Sequence, residues 1–243
     1  MRRSRFPFVM TGAVLAFFYL PILILVVESF NSSRFGGAWR GFSLRWYGRL
    51  FHEPAIWESA RNTLLIAVAV TFVSLALGTT AALALHRFGR SRLQRVHYTL
   101  VYTPLVVPEI LMGISLLMAF VAAGVGLGMG TIILAHVTFC ISYVALTVLG
   151  RLQDFDFTII EAARDLGATG WTATRRVLLP MLAPGLAAAG LIAFTLSVDD
   201  FVITFFVAGP GATTLPIRVY SMIKHGATPL INALSTLLLA LTF

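Results

Sequence analysis

Charge is what this sequence most lacks. Only 12% of its 243 residues are Asp, Glu, Lys or Arg, about half of what a soluble domain carries. Hydrophobic residues make up 58%, so the long apolar runs point to lipid rather than to an oversized soluble core. Cysteine is limited to Cys140, which lies in an apolar run. No internal disulfide is possible, and buried packing is the expected role of that side chain. Phosphate loops are missing too. The Gly124, Gly126, Gly128 and Gly130 spacing does not fit GxGxxG, and the GPGATT stretch from Gly209 to Thr214 lacks the lysine of a phosphate loop. No nucleotide is therefore expected on this chain. The five histidines, His52, His86, His97, His136 and His225, are dispersed and suggest no metal constellation. A Ser–His–Asp triad has no nucleophile motif to mark it.

What is present is a series of apolar spans. They run over roughly residues 6–27, 63–85, 98–122, 131–149 and 181–207, with another from Leu230 to the end. The last is too short to cross a hydrocarbon layer of about 30 Å at 1.5 Å per residue, and the pattern is expected to complete a sixth span beyond Phe243. The fold class is thus all-α, a polytopic transmembrane helical bundle forming a single domain over residues 1–243. Pro104 and Pro108 interrupt the third span and are expected to kink it. The N-terminal arginines followed by an apolar run resemble a signal peptide. The run is long and no small-residue cleavage site follows, so an uncleaved first span is expected.

Lysine and arginine set the orientation. Arg2, Arg3 and Arg5 precede the first span. Arg87, Arg90, Arg92 and Arg95 fill the second loop, and Arg151, Arg164, Arg175 and Arg176 the fourth. The third loop, Ala123 to Gly130, is uncharged. These place the N-terminus and the fourth loop in the cytoplasm. The long first loop dissents, with Arg34, Arg40, Arg45, Arg49 and Arg61, but long loops translocate largely regardless of charge. Its Trp39, Trp46, Tyr47 and Trp57 suit interfacial anchoring. The net charge of +8 is accordingly a topology signal and an affinity for anionic headgroups, not a nucleic-acid footprint.

The fourth loop carries the sharpest motif. From Glu161 to Pro180 it reads EAARDLGATGWTATRRVLLP. Ala162 and Ala163 give a smooth helical surface that another protein can approach. Gly167 permits a turn that a residue with a Cβ resists, so two short helices meeting at an angle are expected. Pro180 suits the first turn of the next span. The segment resembles the EAA signature of the membrane subunits of binding-protein-dependent ABC importers: EAA, three residues, Gly, nine residues, then Ile-x-Leu-Pro. Only the Ile differs, as Val177.

That resemblance implies the type I ABC importer permease fold, with a core over approximately residues 59–243 and the coupling segment at 155–180. It also implies partners: a second related permease, two cytoplasmic ATPases that use ATP and Mg, and an external or periplasmic binding protein. Glu161, Ala162, Ala163 and Gly167 would couple the chain to the ATPase, with Arg164 and Asp165 as polar contacts. The chain itself would be a transport subunit of the bacterial inner membrane, with no catalytic residues and no bound cofactor.

Three acids lie within apolar spans: Glu109, Asp199 and Asp200. Ionised groups at the bilayer centre cost about 2.5–3.5 kcal/mol on insertion scales and usually face a protein interior or aqueous cavity. On unbroken helices Asp199 would lie about 27 Å from Met181, and Glu109 about 16 Å from Tyr98. The stretch Thr195 to Phe206 and the later GPGATTLPIRVYSMIKHGATPLINALST look like polyamine permeases of the spermidine/putrescine type. A polycation needs fixed negative groups, and Phe201, Phe205 or Tyr102 can add cation–π attraction. Asp199, Asp200 and Glu109 are therefore the expected substrate path. On a helix adjacent residues point about 100° apart, so at most one aspartate fully faces a shared pore; the other would cap, pair or support the first. Alternatives are an ABC permease for another cation, such as an opine or amino-acid derivative, and an intramembrane aspartyl protease, whose GxGD motif is absent.

Overall fold

The computed structural model describes residues 6–34, 38–87, 92–226 and 229–242. Of the arginines used to orient the chain, Arg2, Arg3, Arg5 and Arg90 lie outside the described residues. The described residues form two compact units, Met1–Glu58 with Arg218–Phe243, and Ser59–Ile217. Among them four helices are long and apolar enough to cross a membrane, or five if one bent pair counts as a single span.

The first unit contains α1 (Phe6–Ser29), α2 (Arg45–Phe51) and the final helix, α12 (Pro229–Thr242), which packs against both. α1 is apolar throughout and exposed along its length. The loop after it is organised by Asn31, which is fully buried. Its Nδ2 donates to Glu28 Oε2 at 2.9 Å and to Ala38 O at 3.0 Å, and its Oδ1 accepts from the amides of Ser33 and Arg40 at 3.0 Å. Trp46 donates from its indole to Asn31 O at 2.8 Å and is only 2% exposed. This corrects the interfacial reading of Trp46. Its indole N–H has a buried backbone acceptor, so the ring belongs to the interior of the loop, whereas Trp39 and Trp57 are exposed.

The second unit is built on α3 (Pro54–Arg87), α4 (Arg92–Val106), α5 (Glu109–Ala122), α6 (Met129–Gln153), α7 (Thr158–Asp165), α8 (Gly170–Ala173), α9 (Leu179–Asp199) and α10 (Val202–Val207). Loop 208–214 then leads into α11 (Leu215–Lys224). α6 packs along α9, and α10 packs against both α5 and α6. The shared core includes Ile66, Val70, Ile132, Cys140, Val144, Val148, Ala189, Ala193, Ile203 and Val207. Small residues let the helices approach, since apolar attraction alone does not select contacts between helices in lipid. A Cβ at Gly78 would lie 2.6 Å from Val144 Cγ1 and 3.1 Å from the backbone oxygen of Ile141.

Two expected spans are not continuous helices. α4 and α5 meet at a bend of 110° across Val107 and Pro108, much more than a kink. Neither Pro104 nor Pro108 has an amide hydrogen, so two successive turns lose a donor. The fifth span is interrupted after Asp199, where Asp200 is extended (φ −62°, ψ 123°) before α10 begins. At its other end this span begins earlier than Met181. α8, a π-helical turn (Thr174–Leu178) and α9 form one 30-residue helix, Gly170–Asp199. Pro180 thus does not open a separate helix; the widened turn just before it accommodates the missing amide hydrogen.

The uncharged glycine-rich connection is exposed over residues 123–126 and packs on the 208–214 loop at Leu127. A Cβ on Gly209 would sit 1.9 Å from Leu127 O, and Thr131 Oγ1 donates to Val207 O at 2.8 Å. Loop 208–214 is pinned to α3 by Asn62, whose Nδ2 donates to Gly211 O and Thr213 O, both at 3.2 Å.

Gly78 and Gly150 provide a controlled pair, because a Cβ at Gly150 meets open space. Gly78→Ala is expected to destabilise the protein by about 1–3 kcal/mol through overpacking. Gly150→Ala should be neutral or stabilising by up to about 1 kcal/mol. Thermal unfolding of the detergent-purified protein checks this; equal melting temperatures for the two variants would show that α3 and α6 are not in close contact at Gly78.

Candidate functional site: an exposed helical hairpin and an acid-bearing helix break

The sequence-predicted coupling residues lie on one continuous exposed feature. Asp156 Oδ1 accepts the Thr158 amide at 3.0 Å at the start of α7. The side-chain and backbone hydrogen bonds from Thr158 hold the Asp156 carboxyl below its ordinary pKa. α7 ends in two bonds, from Gly167 N to Arg164 O at 2.8 Å and from Ala168 N to Ala163 O at 3.0 Å. This is the Schellman closure, which needs a left-handed residue at its centre. Gly167 has φ +88°, so the expected turn is present and its glycine requirement is explained. α8 then starts on Thr169, whose Oγ1 accepts the Thr172 amide at 3.2 Å. Two short helices flanking a tight turn are thus observed, but the second runs on into the fifth span.

Glu161, Ala162, Arg164 and Asp165 are exposed and Ala163 is half-buried. Between and beyond them stand two apolar side chains that sequence reasoning did not single out, Leu166 at 90% exposure and Trp171 at 70%. Both occur inside the motif, and their chemistry in a polar segment was the available signal. Beside the hairpin, a cleft of about 750 Å³ is lined by His86, Arg87, Phe157, Arg164 and Trp171 among others. The C-terminal end of α3 and the hairpin therefore share one side of this unit.

The three acids are separated by the fold. Glu109 is exposed in the first turn of α5, where a carboxylate complements the positive end of the helix dipole. Asp199 is exposed at the last residue of α9. Asp200 is turned inward, with its side chain only 6% exposed. No hydrogen bond or ion pair joins the three acids to one another among the described residues. Both depth expectations rested on unbroken helices. The bend at Val107–Pro108 removes the basis for the Glu109 value, because the helix that carries it begins at Glu109 itself. The 100° relation between the aspartates fails too, because Asp200 is not helical.

Asp200 is gripped from several directions. Its Oδ2 accepts the Thr204 amide at 2.8 Å and the Thr204 hydroxyl at 2.7 Å, and its Oδ1 accepts the Ile203 amide at 3.4 Å. The carboxylate thereby satisfies amides that the interruption leaves without helical partners. His136 Nε2 lies 3.1 Å from Asp200 Oδ2 and 2.9 Å from Thr204 Oγ1, while its Nδ1 lies 2.8 Å from Ser197 Oγ. His136 and Thr204 are fully buried and Ser197 is nearly so. Sequence reasoning passed over His136 as one of five dispersed histidines. The signal was an ionisable residue in the middle of an apolar span.

The chain Ser197–His136–Asp200 has the members of a hydrolytic triad but not its access. Ser197 is 3% exposed, so no acyl group can reach its hydroxyl. Nor do Asp199 and Asp200 converge as a protease pair would. One faces outward while the other is saturated by donors. What this arrangement does is hold a broken helix closed around a buried polar knot and leave one carboxylate, Asp199, outside it.

Comparison with known proteins agrees with this architecture. Residues 74–243 match the family model described as binding-protein-dependent transport system inner membrane component. The spermidine/putrescine transport system permease protein PotC of Escherichia coli (strain K12) is 42% identical over 231 residues, covering 95% of this chain and 87% of that protein. The putrescine transport system permease protein PotI of the same strain is 46% identical over 229 residues, covering 92% and 82%. Among solved structures, a bacterial alginate ABC transporter in complex with an alginate pentasaccharide-bound periplasmic protein aligns with a TM-score of 0.75 at 15% identity, covering 99% of this chain and 91% of that chain; the likeness is one of fold. With an exposed EAA hairpin on a helical membrane scaffold, this chain belongs to the family of inner membrane components of binding-protein-dependent transport systems.

Proposed function

We propose that this chain is the permease subunit of an ATP-driven importer that moves polyamines of the spermidine/putrescine class across the cytoplasmic membrane. The observation that carries the substrate class is identity of 42% and 46% to two permeases named for spermidine/putrescine and putrescine transport, over more than nine-tenths of this chain. The exposed carboxylates of Asp199 and Glu109 fit a polycation, which needs fixed negative charge along its route. Asp200 serves that route as the anchored member of the pair, by fixing the backbone beside Asp199.

The hairpin of Glu161, Ala162, Ala163, Arg164, Asp165 and Gly167 docks on a cytoplasmic ATPase in this reading. Leu166 and Trp171 support it, because two large apolar side chains exposed on a polar segment mark a contact surface. ATP and Mg belong to that partner. A second related permease completes the pathway, two ATPases drive it, and an external or periplasmic binding protein delivers the substrate. The N-terminus is cytoplasmic. Arg87, Arg151 and Arg164 all lie at the hairpin end of their helices, as the positive-inside rule requires.

Three outcomes follow. Ala163→Asp places a charge on the docking face, and pull-down should recover at least fivefold less ATPase while the membrane level of this chain is unchanged; equal recovery would remove the docking role. Gly167→Val forces a β-branched residue to a positive φ, at a cost of about 1–2 kcal/mol. Uptake per assembled complex should fall at least fivefold, and full uptake would show that the Schellman turn is dispensable. Asp199→Asn and Glu109→Gln should each lower polyamine uptake per assembled complex by about tenfold, equivalent to about 1.4 kcal/mol of barrier. If both variants assemble and transport normally, the acids are not on the cation route.

A further inference from the structure

The interruption after Asp199 has one local element, Asp200, whose carboxylate caps the next helix through the Ile203 and Thr204 amides. Between Gly190 and Gly209 there is neither proline nor glycine, so no backbone breaker reinforces that cap. Buried in lipid, a helix interrupted without compensation leaves amides and carbonyls unsatisfied, each at a cost of several kcal/mol. The break therefore persists only while the Asp200 carboxylate is held in its capping position. α6 reaches into the segment with a polar side chain, His136. That imidazole contacts Ser197 before the break at 2.8 Å, Asp200 within it at 3.1 Å and Thr204 after it at 2.9 Å.

We infer that His136 is a positioning residue: by gripping Ser197, Asp200 and Thr204 together it fixes the capping carboxylate, maintains the break after Asp199 and so holds Asp199, rather than Asp200, on the exposed face. Phenylalanine or leucine would fill the same volume in α6 without any of the three contacts. Asp200 would then lose a partner in the interior, and the segment would close into a helix or re-pair elsewhere. Either event changes how residue 199 meets solvent. The consequence for transport rests on the proposed polyamine reading; the geometric consequence does not.

The test separates the two. In a Cys140→Ala background, which removes the sole cysteine, Asp199→Cys is labelled in membranes with a cationic methanethiosulfonate in the full complex. Adding His136→Leu should change the labelling rate by more than threefold, and His136→Gln, which keeps a donor near the Nε2 position, should return it to within threefold. If His136→Leu does not reach the membrane, Thr204→Val is read in the same way, since it strips a hydroxyl from both His136 and Asp200 at nearly unchanged shape. Labelling within threefold of the parent in the leucine variant, or in the valine variant where that one is used, would overturn the positioning role, whatever the uptake. In the uptake assay, His136→Leu with Asp199 intact should lose at least fivefold per assembled complex. A shifted labelling rate together with normal uptake by Asp199→Asn would instead leave His136 in its role and remove Asp199 from the route.

Discussion

In hydrocarbon every backbone N–H and C=O must find its partner inside the protein, and the rest of this structure follows from how the chain meets that constraint where its helices stop. Through α3, α6 and α9 the helices meet it by themselves. At the end of α9 they do not, and the Asp200 carboxylate supplies partners to two amides while an imidazole and two hydroxyls hold the cluster around it. At Val107–Pro108 the solution is different. Prolines remove donors instead of requiring partners, so a bend of 110° is tolerated with no buried polar knot.

These two solutions assign different work to the three membrane-embedded acids. Asp200 is structural in the strict sense that its oxygens are occupied by donors from its own segment and from α6. Asp199 and Glu109 are each next to an interruption and each exposed. Adjacent aspartates thus behave as a buried staple and a free charge. A neutralising substitution at each site has a different meaning: at Asp200 it disturbs the backbone, at Asp199 it changes only the field.

Much of this was legible in the sequence, for identifiable reasons. The apolar runs located the spans, because hydropathy over twenty residues is a strong signal. The EAA spacing located the hairpin, and Gly167 announced its left-handed turn because few other residues adopt one. The break after Asp199 was not legible, since neither proline nor glycine marks it and the imidazole that fixes the capping Asp200 lies 64 positions away in His136. The continuity of α8 with α9 was hidden by Pro180, which reads as a helix start but sits behind a π-helical turn. Trp46 looked like an interfacial anchor because its acceptor, the Asn31 carbonyl, belongs to a loop whose fold composition does not reveal. For His136 and Trp46 the missing information was a tertiary partner; for Pro180 it was a local change of helical pitch.

The unbroken helix from Gly170 to Asp199 gives the hairpin a mechanical connection to the acid-bearing end. Thirty residues make a rod of about 45 Å, with the Schellman turn at one tip and the free carboxylate at the other. A rod of that length is a lever arm: a tilt of about 5° at the hairpin sweeps Asp199 through roughly 4 Å, more than the reach of a hydrogen bond. Its irregularities, the π-helical turn ending at Leu178 and the prolines at Pro180 and Pro184, lie in the half nearer the hairpin, so bending compliance is concentrated there. The stiffness of that half therefore sets how much of a hairpin displacement reaches Asp199.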